Sequence, residues 1–278
     1  MKTQKKDYLK KGIIFLFLLF LAVSFLYPLY FMFINSLKTR AEYGTDPFNL
    51  PPGKLQFANY ETMISQFKIL NLFKNTFIVC SVTLLFLIVI GVIASYAFAK
   101  LAFRHKRGVY LAIIMTIFIP AQVTMIPMYV MFSKVNLVNT FWSVILAYLA
   151  AFLPEGIMLM TANFRSIPNE LIEASELDGC TFFQIIGHVI IPTGRAAIFL
   201  TIIFYFIIMW NDLFTPMILL QKMDVRTVTV ALATLIARYT GDPPYQFAGP
   251  LLSAIPALAV YAIFQRFIIS GITVGAIK

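Results

Sequence analysis

Long apolar stretches alternate with short polar ones along this chain. Six apolar stretches reach the roughly 20 residues that an α-helix needs to cross a bilayer of about 30 Å. The pattern therefore predicts an all-α membrane protein with six transmembrane helices, in a single transmembrane domain over residues 1–278. The predicted spans are 12–35, 72–99, 109–132, 140–161, 196–220 and 249–269.

Composition agrees with this pattern. Hydrophobic residues make up 60% of the chain and charged residues only 12%, and the mean hydropathy is +0.85. These values lie far outside the range of soluble proteins. The first span follows five lysines and lacks a small-residue cleavage site, so we predict a retained helix and not a signal peptide.

The distribution of positive charge predicts the orientation. Basic residues collect in cytoplasmic loops, which places the N-terminus inside and, after six spans, the C-terminus inside as well. A second basic cluster then falls in the next cytoplasmic loop, while the predicted external loops also carry Lys and Arg. The net charge of +10 follows from this orientation and from lipid headgroups, and the chain has no nucleic-acid motif. The two clusters are Lys2, Lys5, Lys6, Lys10 and Lys11, and Lys100, Arg104, Lys106 and Arg107.

A polar helix-turn-helix is predicted between the fourth and fifth spans, at residues 162–195. Pro168 suits a helix start, and Glu170, Glu173 and Glu176 form an acidic stripe near the favourable end of the helix dipole. Gly179 supplies a left-handed turn at the helix end. The run from Thr181 to Gln184 is a capping box for a second helix, which we expect Pro192 to end.

The spacing of this segment resembles the coupling loop of ABC importer permeases. The matching positions are Glu173-Ala174-Ser175, then Gly179, then Val189, Ile191 and Pro192. Further segments extend the resemblance to the smaller permease subunit of the maltose-type carbohydrate importers, although Ser175 departs from the usual Ala and the chain ends one residue before that group's final glycine. Those segments include Asn59-Tyr60, Lys74-Asn75-Thr76, Asn136–Thr140, Trp210–Pro216 and Gly271–Lys278.

The resemblance implies a type I importer in the cell membrane. Its expected partners are a second, larger permease subunit, two ATP-binding cassette subunits and an extracytoplasmic solute-binding protein that delivers a sugar. Coupling to the ATPase would then involve Glu173, Ala174, Ser175, Gly179 and Pro192.

Catalytic and metal-binding motifs are not found in the sequence. A phosphate-binding Gly-rich loop is missing, so the ATPase must be a separate chain. Cys80 and Cys180 lie in different predicted environments, and His105 and His188 lack partners at metal-ligand spacing. We therefore expect no enzyme activity, no cofactor and no metal.

Polar residues inside the predicted spans are candidates for the translocation path, because buried charge in a membrane is costly and often functional. Gln122 lies in the third span, between two prolines that predict a kinked helix. Asn211 and Asp212 lie in the fifth predicted span. Asp212 is equally compatible with a capping or bracing role near the outer surface.

The external loop 221–248 offers a second contact site. Its tip contains Gly241, Asp242, Pro243, Pro244 and Tyr245, and we expect the two prolines to hold it extended. In maltose-type permeases the corresponding loop reaches into the binding protein, so these five residues are the predicted contact. A plain turn is the alternative.

Three alternatives stay open. A proton-driven secondary transporter could use Glu155 and Asp212 as a relay, although it would not need the polar loop at 162–195. A membrane enzyme would need a cluster of His, Asp or Glu at one face, which the sequence does not show. Within the importer family the favoured substrate is an oligosaccharide, followed by a monosaccharide derivative or a glycerol phosphate.

Overall fold

The computed structural model describes the backbone of residues 2–238 and 242–276, and the side chains of residues 10–235 and 242–264. Within these ranges the chain forms helices and turns and no strand. The α-helices are α1 (Lys2–Ser36), α2 (Arg40–Thr45), α3 (Ala58–Ser65), α4 (Ile69–Lys100), α5 (Lys106–Met115), α6 (Ala121–Lys134), α7 (Phe141–Arg165), α8 (Asn169–Leu177), α9 (Phe182–Ile185), α10 (Ile191–Asn211), α11 (Phe214–Leu219), α12 (Val228–Arg238) and α13 (Pro243–Ala276).

Five helical segments of the described residues are long and apolar enough to cross a membrane. A sixth arises if the bent pair Lys106–Phe118 and Ala121–Lys134 forms one span. The multi-pass, all-helical architecture predicted from the sequence is therefore confirmed. The first, second, fourth and sixth predicted spans fall on α1, α4, α7 and α13. Helices α1, α4 and α13 extend beyond the predicted limits at both ends, and α7 does so at its C-terminal end.

The third predicted span is broken, which corrects the expectation of a single kinked helix. The two halves meet at an angle of 96°. Ile119 between them is extended, with φ −84° and ψ 113°, and Pro120 precedes the first residue of α6. A proline disfavours the α conformation in the residue before it, so Pro120 accounts for the break.

The fifth predicted span is displaced towards the N-terminus. A helical segment runs from Phe182 to Asn211, and Asp212 lies beyond its end in an extended conformation. Asp212 is therefore outside the helix in which the sequence placed it, and α11 follows as a separate short helix.

Pro192 does not end the second helix of the polar loop, contrary to expectation. Residues 186–190 form a π-turn in which Ile191 N–H donates to the Ile186 carbonyl, five residues back. A proline removes one helical N–H and crowds the carbonyl four residues before it. The wider π-turn just before Pro192 relieves this conflict, so the helix continues into α10.

The structure divides into two compact units. One contains residues from 1–69 and 232–255, and the other contains residues from 70–231 and 256–278. In the first unit, Met63, Leu235 and Ala248 form a small buried cluster. In the second, α7 packs along α10 and also contacts α5, α6 and α11.

Candidate functional site

The polar segment after α7 contains the predicted helix-turn-helix. The first helix, α8, begins at Asn169, and Pro168 directly before it is extended, with φ −57° and ψ 136°. Among the residues of α8 only Ile172 is buried. Ile172 joins a cluster that includes Tyr96 of α4 and Phe164 of α7. A single apolar anchor therefore seats α8 while its other side chains stay largely accessible.

Gly179 ends α8 in the left-handed conformation that the sequence predicts. Its φ is +80°. Gly179 N–H donates to the Glu176 carbonyl at 3.0 Å, and Cys180 N–H donates to the Ser175 carbonyl at 2.9 Å. These two bonds form a Schellman motif, which pairs carbonyls that a helix end otherwise leaves free. These hydrogen bonds therefore fix the path of the backbone where it leaves α8.

The second helix begins with the predicted capping box. The Thr181 N–H donates to Gln184 Oε1 at 2.7 Å, and the reciprocal Thr181 cap is also present. The Phe182 ring packs against Tyr96 with a centroid distance of 5.2 Å. Both ends of the Gly179 turn are therefore held to the protein.

Lys100 braces the start of this segment, and sequence reasoning counted it only as part of a basic loop. Its Nζ donates to the Arg165 carbonyl at 3.3 Å, to Asn169 Oδ1 at 2.8 Å and to the Ile167 carbonyl. A lysine ammonium has three donors, so all three are used. No local pattern signals this role, because the acceptors lie more than 60 residues away in the sequence.

The accessible surface of α8 combines acidic and apolar groups. Glu170, Glu173, Glu176 and Asp178 are all exposed. Apolar residues lie beside these carboxylates, with Leu177 89% exposed and Phe183 70% exposed. Residues 166–187 contain no Lys or Arg in a chain of net charge +10. Such a surface suits a protein partner with an apolar socket and a positive rim.

Ser175 and Pro192 differ from the other predicted coupling residues. Ser175 is half-buried and its hydroxyl donates to the Leu171 carbonyl at 2.7 Å. Pro192 is exposed but lies inside the continuous helix described above. The turn itself therefore brings together Glu173, Ala174, Ser175 and Gly179, whereas Pro192 shapes the following helix.

The candidate path residues are only partly brought together. Asp212 Oδ2 accepts a hydrogen bond from Tyr148 Oη at 3.0 Å, and Asp212 Oδ1 accepts one from Phe214 N–H at 2.9 Å. Asn211 Nδ2 donates to the Ile207 carbonyl within its own helix at 2.8 Å. Gln122 is exposed on α6. The Tyr148 contact, which no sequence pattern indicated, makes Asp212 a link between the ends of α7 and α10.

The predicted external tip has a different conformation from the one expected. Pro243 and Pro244 form the first turn of α13, so they do not hold an extended loop. Pro244 is buried, and Tyr245 packs beside the cluster of Met63 and Ala248. Burial raises the pKa of Asp242, and the positive charge of Arg40 opposes this shift. Gly241 lies outside the described residues.

Residues 87–274 match the model of the family described as binding-protein-dependent transport system inner membrane component. A putative ABC transporter permease protein, ORF2, from Caldicellulosiruptor sp. (strain Rt8B.4) is 31% identical, with 90% of this chain and 91% of that protein covered. The melibiose/raffinose/stachyose import permease protein MelC of Bacillus subtilis (strain 168) is 28% identical over the same shares.

A similar fold is present in a crystal structure of a bacterial ABC transporter involved in the import of the acidic polysaccharide alginate. The TM-score is 0.81 at 22% sequence identity, and the alignment covers 94% of this chain and 97% of that one. The likeness concerns the arrangement of helices.

Proposed function

This chain belongs to the family of binding-protein-dependent transport system inner membrane components, and from that membership we propose that it is one of two permease subunits of an ATP-driven carbohydrate importer. It forms half of the translocation path. A separate ATPase subunit docks on the α8 surface, and the chain itself carries no catalytic site.

The exposed, braced α8 is the observation that supports docking of an ATPase. One buried side chain, a Schellman turn, a capping box and the three bonds of Lys100 hold the segment. Its carboxylates and exposed Leu177 are left for a partner. A rigid surface binds with less entropic loss than a mobile one, because fewer rotamers and backbone angles must be fixed on docking.

The positive-inside pattern supports a cytoplasmic position for α8 and for both termini. The extracytoplasmic side of the chain then meets the solute-binding protein, and Gly241 to Tyr245 remain our proposed contact. Because Pro244 is buried and Tyr245 is packed, Asp242 carries most of the expected contact among the described residues of the tip. A second, non-identical permease completes the path.

An oligosaccharide is the proposed substrate. MelC, as its name states, is a permease for melibiose, raffinose and stachyose import. A monosaccharide derivative or a glycerol phosphate is the alternative. We propose that Gln122, Asn211 and Asp212 line the path, with Asp212 positioned by the Tyr148 hydroxyl.

A charge reversal on α8 tests the proposed coupling. In the transporter reconstituted with its ATPase, partner permease and binding protein, Glu173→Lys should lower solute-stimulated ATP hydrolysis and uptake by about tenfold, since a like charge at a docking rim is repulsive. Glu61→Lys, at an exposed position of α3, is the matched control and should retain wild-type rates. Vanadate should abolish uptake by the wild-type complex.

Two results would reject this proposal. One is wild-type coupling by Glu173→Lys in a complex that assembles normally. The other is vanadate-insensitive uptake that follows a proton gradient, which would favour the secondary transporter with Glu155 and Asp212 as its relay.

A further inference from the structure

A cationic cavity of about 430 Å³ lies beside the start of the polar segment, within the second compact unit. Its volume is in the range of small-ligand sites. It is formed where α4 and α7 end and α5 begins, and nothing in the proposed transport cycle uses it. The lining residues are Phe98, Lys106, Arg107, Tyr110, Leu111 and Arg165.

Positive charge dominates this cavity. Lys106 Nζ donates to the Leu101 carbonyl at 2.7 Å, and the Arg165 guanidinium carbon lies 5.4 Å from the centre of the Tyr110 ring. Neither contact neutralises a charge. Residues 99–122, which supply Lys106 and Arg107, contain no Asp or Glu, and none of the residues that line the cavity beside its three cations is acidic. A bound anion would supply the missing counter-charge.

Aromatic and aliphatic groups form the remaining wall. The Phe98 ring lies 5.2 Å from that of Tyr110 and 5.9 Å from that of Phe103, measured between centroids. Exposed apolar side chains add to this wall, with Phe103 42% and Leu111 48% exposed. The cavity therefore offers both positive charge for an anion and apolar surface for hydrocarbon.

We propose that this cavity binds the phosphodiester headgroup of an anionic membrane phospholipid. The phosphate lies among Lys106, Arg107 and Arg165, and the glycerol backbone with the start of an acyl chain lies against Leu111 and Phe103. Basic pockets between the ends of membrane helices are a recurrent setting for such headgroups. Arg107 and Arg165 offer the planar donor forks that match phosphate oxygens.

The position of the cavity favours a lipid over a free anion. It lies beside the ends of α4 and α7, two helices that are long and apolar enough to span a membrane, so we expect it to face the headgroup layer. A soluble phosphate would gain the charge contacts but not the apolar ones. A zwitterionic lipid would offer the apolar part but bring its own cation next to the arginines.

Thermal unfolding of the full-length chain in a neutral detergent tests the proposal. Dioctanoyl phosphatidylglycerol should raise the unfolding midpoint by mass action, whereas dioctanoyl phosphatidylcholine and inorganic phosphate should not. The double variant R107Q/R165Q should bind phosphatidylglycerol about 30-fold more weakly, because each basic residue near an anionic surface contributes about 1 kcal/mol. The double variant R104Q/K134Q changes the net charge equally at exposed positions outside the cavity and should bind like the wild type.

Each comparison has an outcome that overturns the proposal. Equal loss of binding in both double variants would show a general charge effect, and an equal shift with phosphatidylcholine would show a hydrophobic one. A shift with inorganic phosphate at the same concentration would make the ligand a free anion. If R107Q/R165Q does not fold, R107Q alone is used, because Arg107 is exposed and its loss leaves the Tyr110 contact of Arg165 in place.

Discussion

Replacing Gly179 separates a backbone effect from a side-chain effect at the α8 turn. Its φ of +80° is rarely adopted by residues with a Cβ, and a Cβ built there meets no atom within 4 Å. Any loss of coupling on substitution therefore comes from backbone strain and not from a steric clash of the new side chain. We expect Gly179→Val to uncouple ATP hydrolysis from transport.

The strain is comparable in size to the bonds that hold the turn. A left-handed conformation costs an L-residue about 1–2 kcal/mol, and more for a β-branched one. The Schellman turn is held by two bonds, from Gly179 and Cys180, each contributing about 0.5–1.5 kcal/mol net. Valine should therefore displace the turn in a large fraction of the molecules. Asparagine, which tolerates this conformation better, should lower coupling by about fivefold or less, the equivalent of about 1 kcal/mol.

Gly187→Ala is the matched control. Gly187 is also exposed and also open around its Cβ position, but it lies within a helical turn. Alanine there should leave coupling unchanged or improve helix stability slightly. The assay is solute-stimulated ATP hydrolysis and uptake in reconstituted vesicles, with subunit assembly checked by co-purification. Wild-type coupling by Gly179→Val, or weaker coupling by Gly179→Asn than by Gly179→Val, would refute this reasoning.

Four further substitutions, one of them a comparison, test the supports of the site by thermal unfolding of the purified chain and by protease sensitivity. Lys100→Met removes three hydrogen bonds and should speed proteolysis of residues 166–181 at least tenfold; unchanged cleavage would contradict the brace. Gly194→Ala places a Cβ 2.4 Å from a buried phenyl ring of α7 and should cost about 1–3 kcal/mol, whereas Gly91→Ala meets only a flexible methionine methyl group and should cost less; equal costs would be inconsistent with this account. Tyr148→Phe removes the hydroxyl that donates to Asp212 and should destabilise by about 1.5–3 kcal/mol; no change in the unfolding midpoint would rule out a stabilising bond.

Local signals predicted the turn of the candidate site correctly. Gly179 and the Thr181 to Gln184 box are short-range features whose chemistry is complete within a few residues. Their conformations follow from sterics and capping, so they could be recognised without knowledge of the fold. The same holds for most of the apolar spans, because length and hydropathy suffice.

Features that depend on two opposing local signals, or on residues distant in the sequence, were not predictable in this way. Pro192 carries a helix-ending signal, but a π-turn absorbs its effect. Asp212 lies within a long apolar stretch of sequence, so hydropathy does not reveal that the helix ends just before it. Its partner Tyr148 is 64 residues away in the sequence. The role of Lys100 required the positions of Ile167 and Asn169 in space.

The candidate site lies at one end of the continuous helix from Phe182 to Asn211, so a tilt of that helix at the site would also move its other end. Its 30 residues span about 45 Å, so a tilt of about 5° at the Phe182 end displaces the other end by about 4 Å. The Asp212–Tyr148 bond at that far end joins this helix to α7, and closer to the middle of the segment Gly194 packs against the Phe164 ring of α7. Because α7 contacts this helix at both places, we expect the two helices to move together during transport and the bending to occur in the segments around them, such as the 96° break at Pro120.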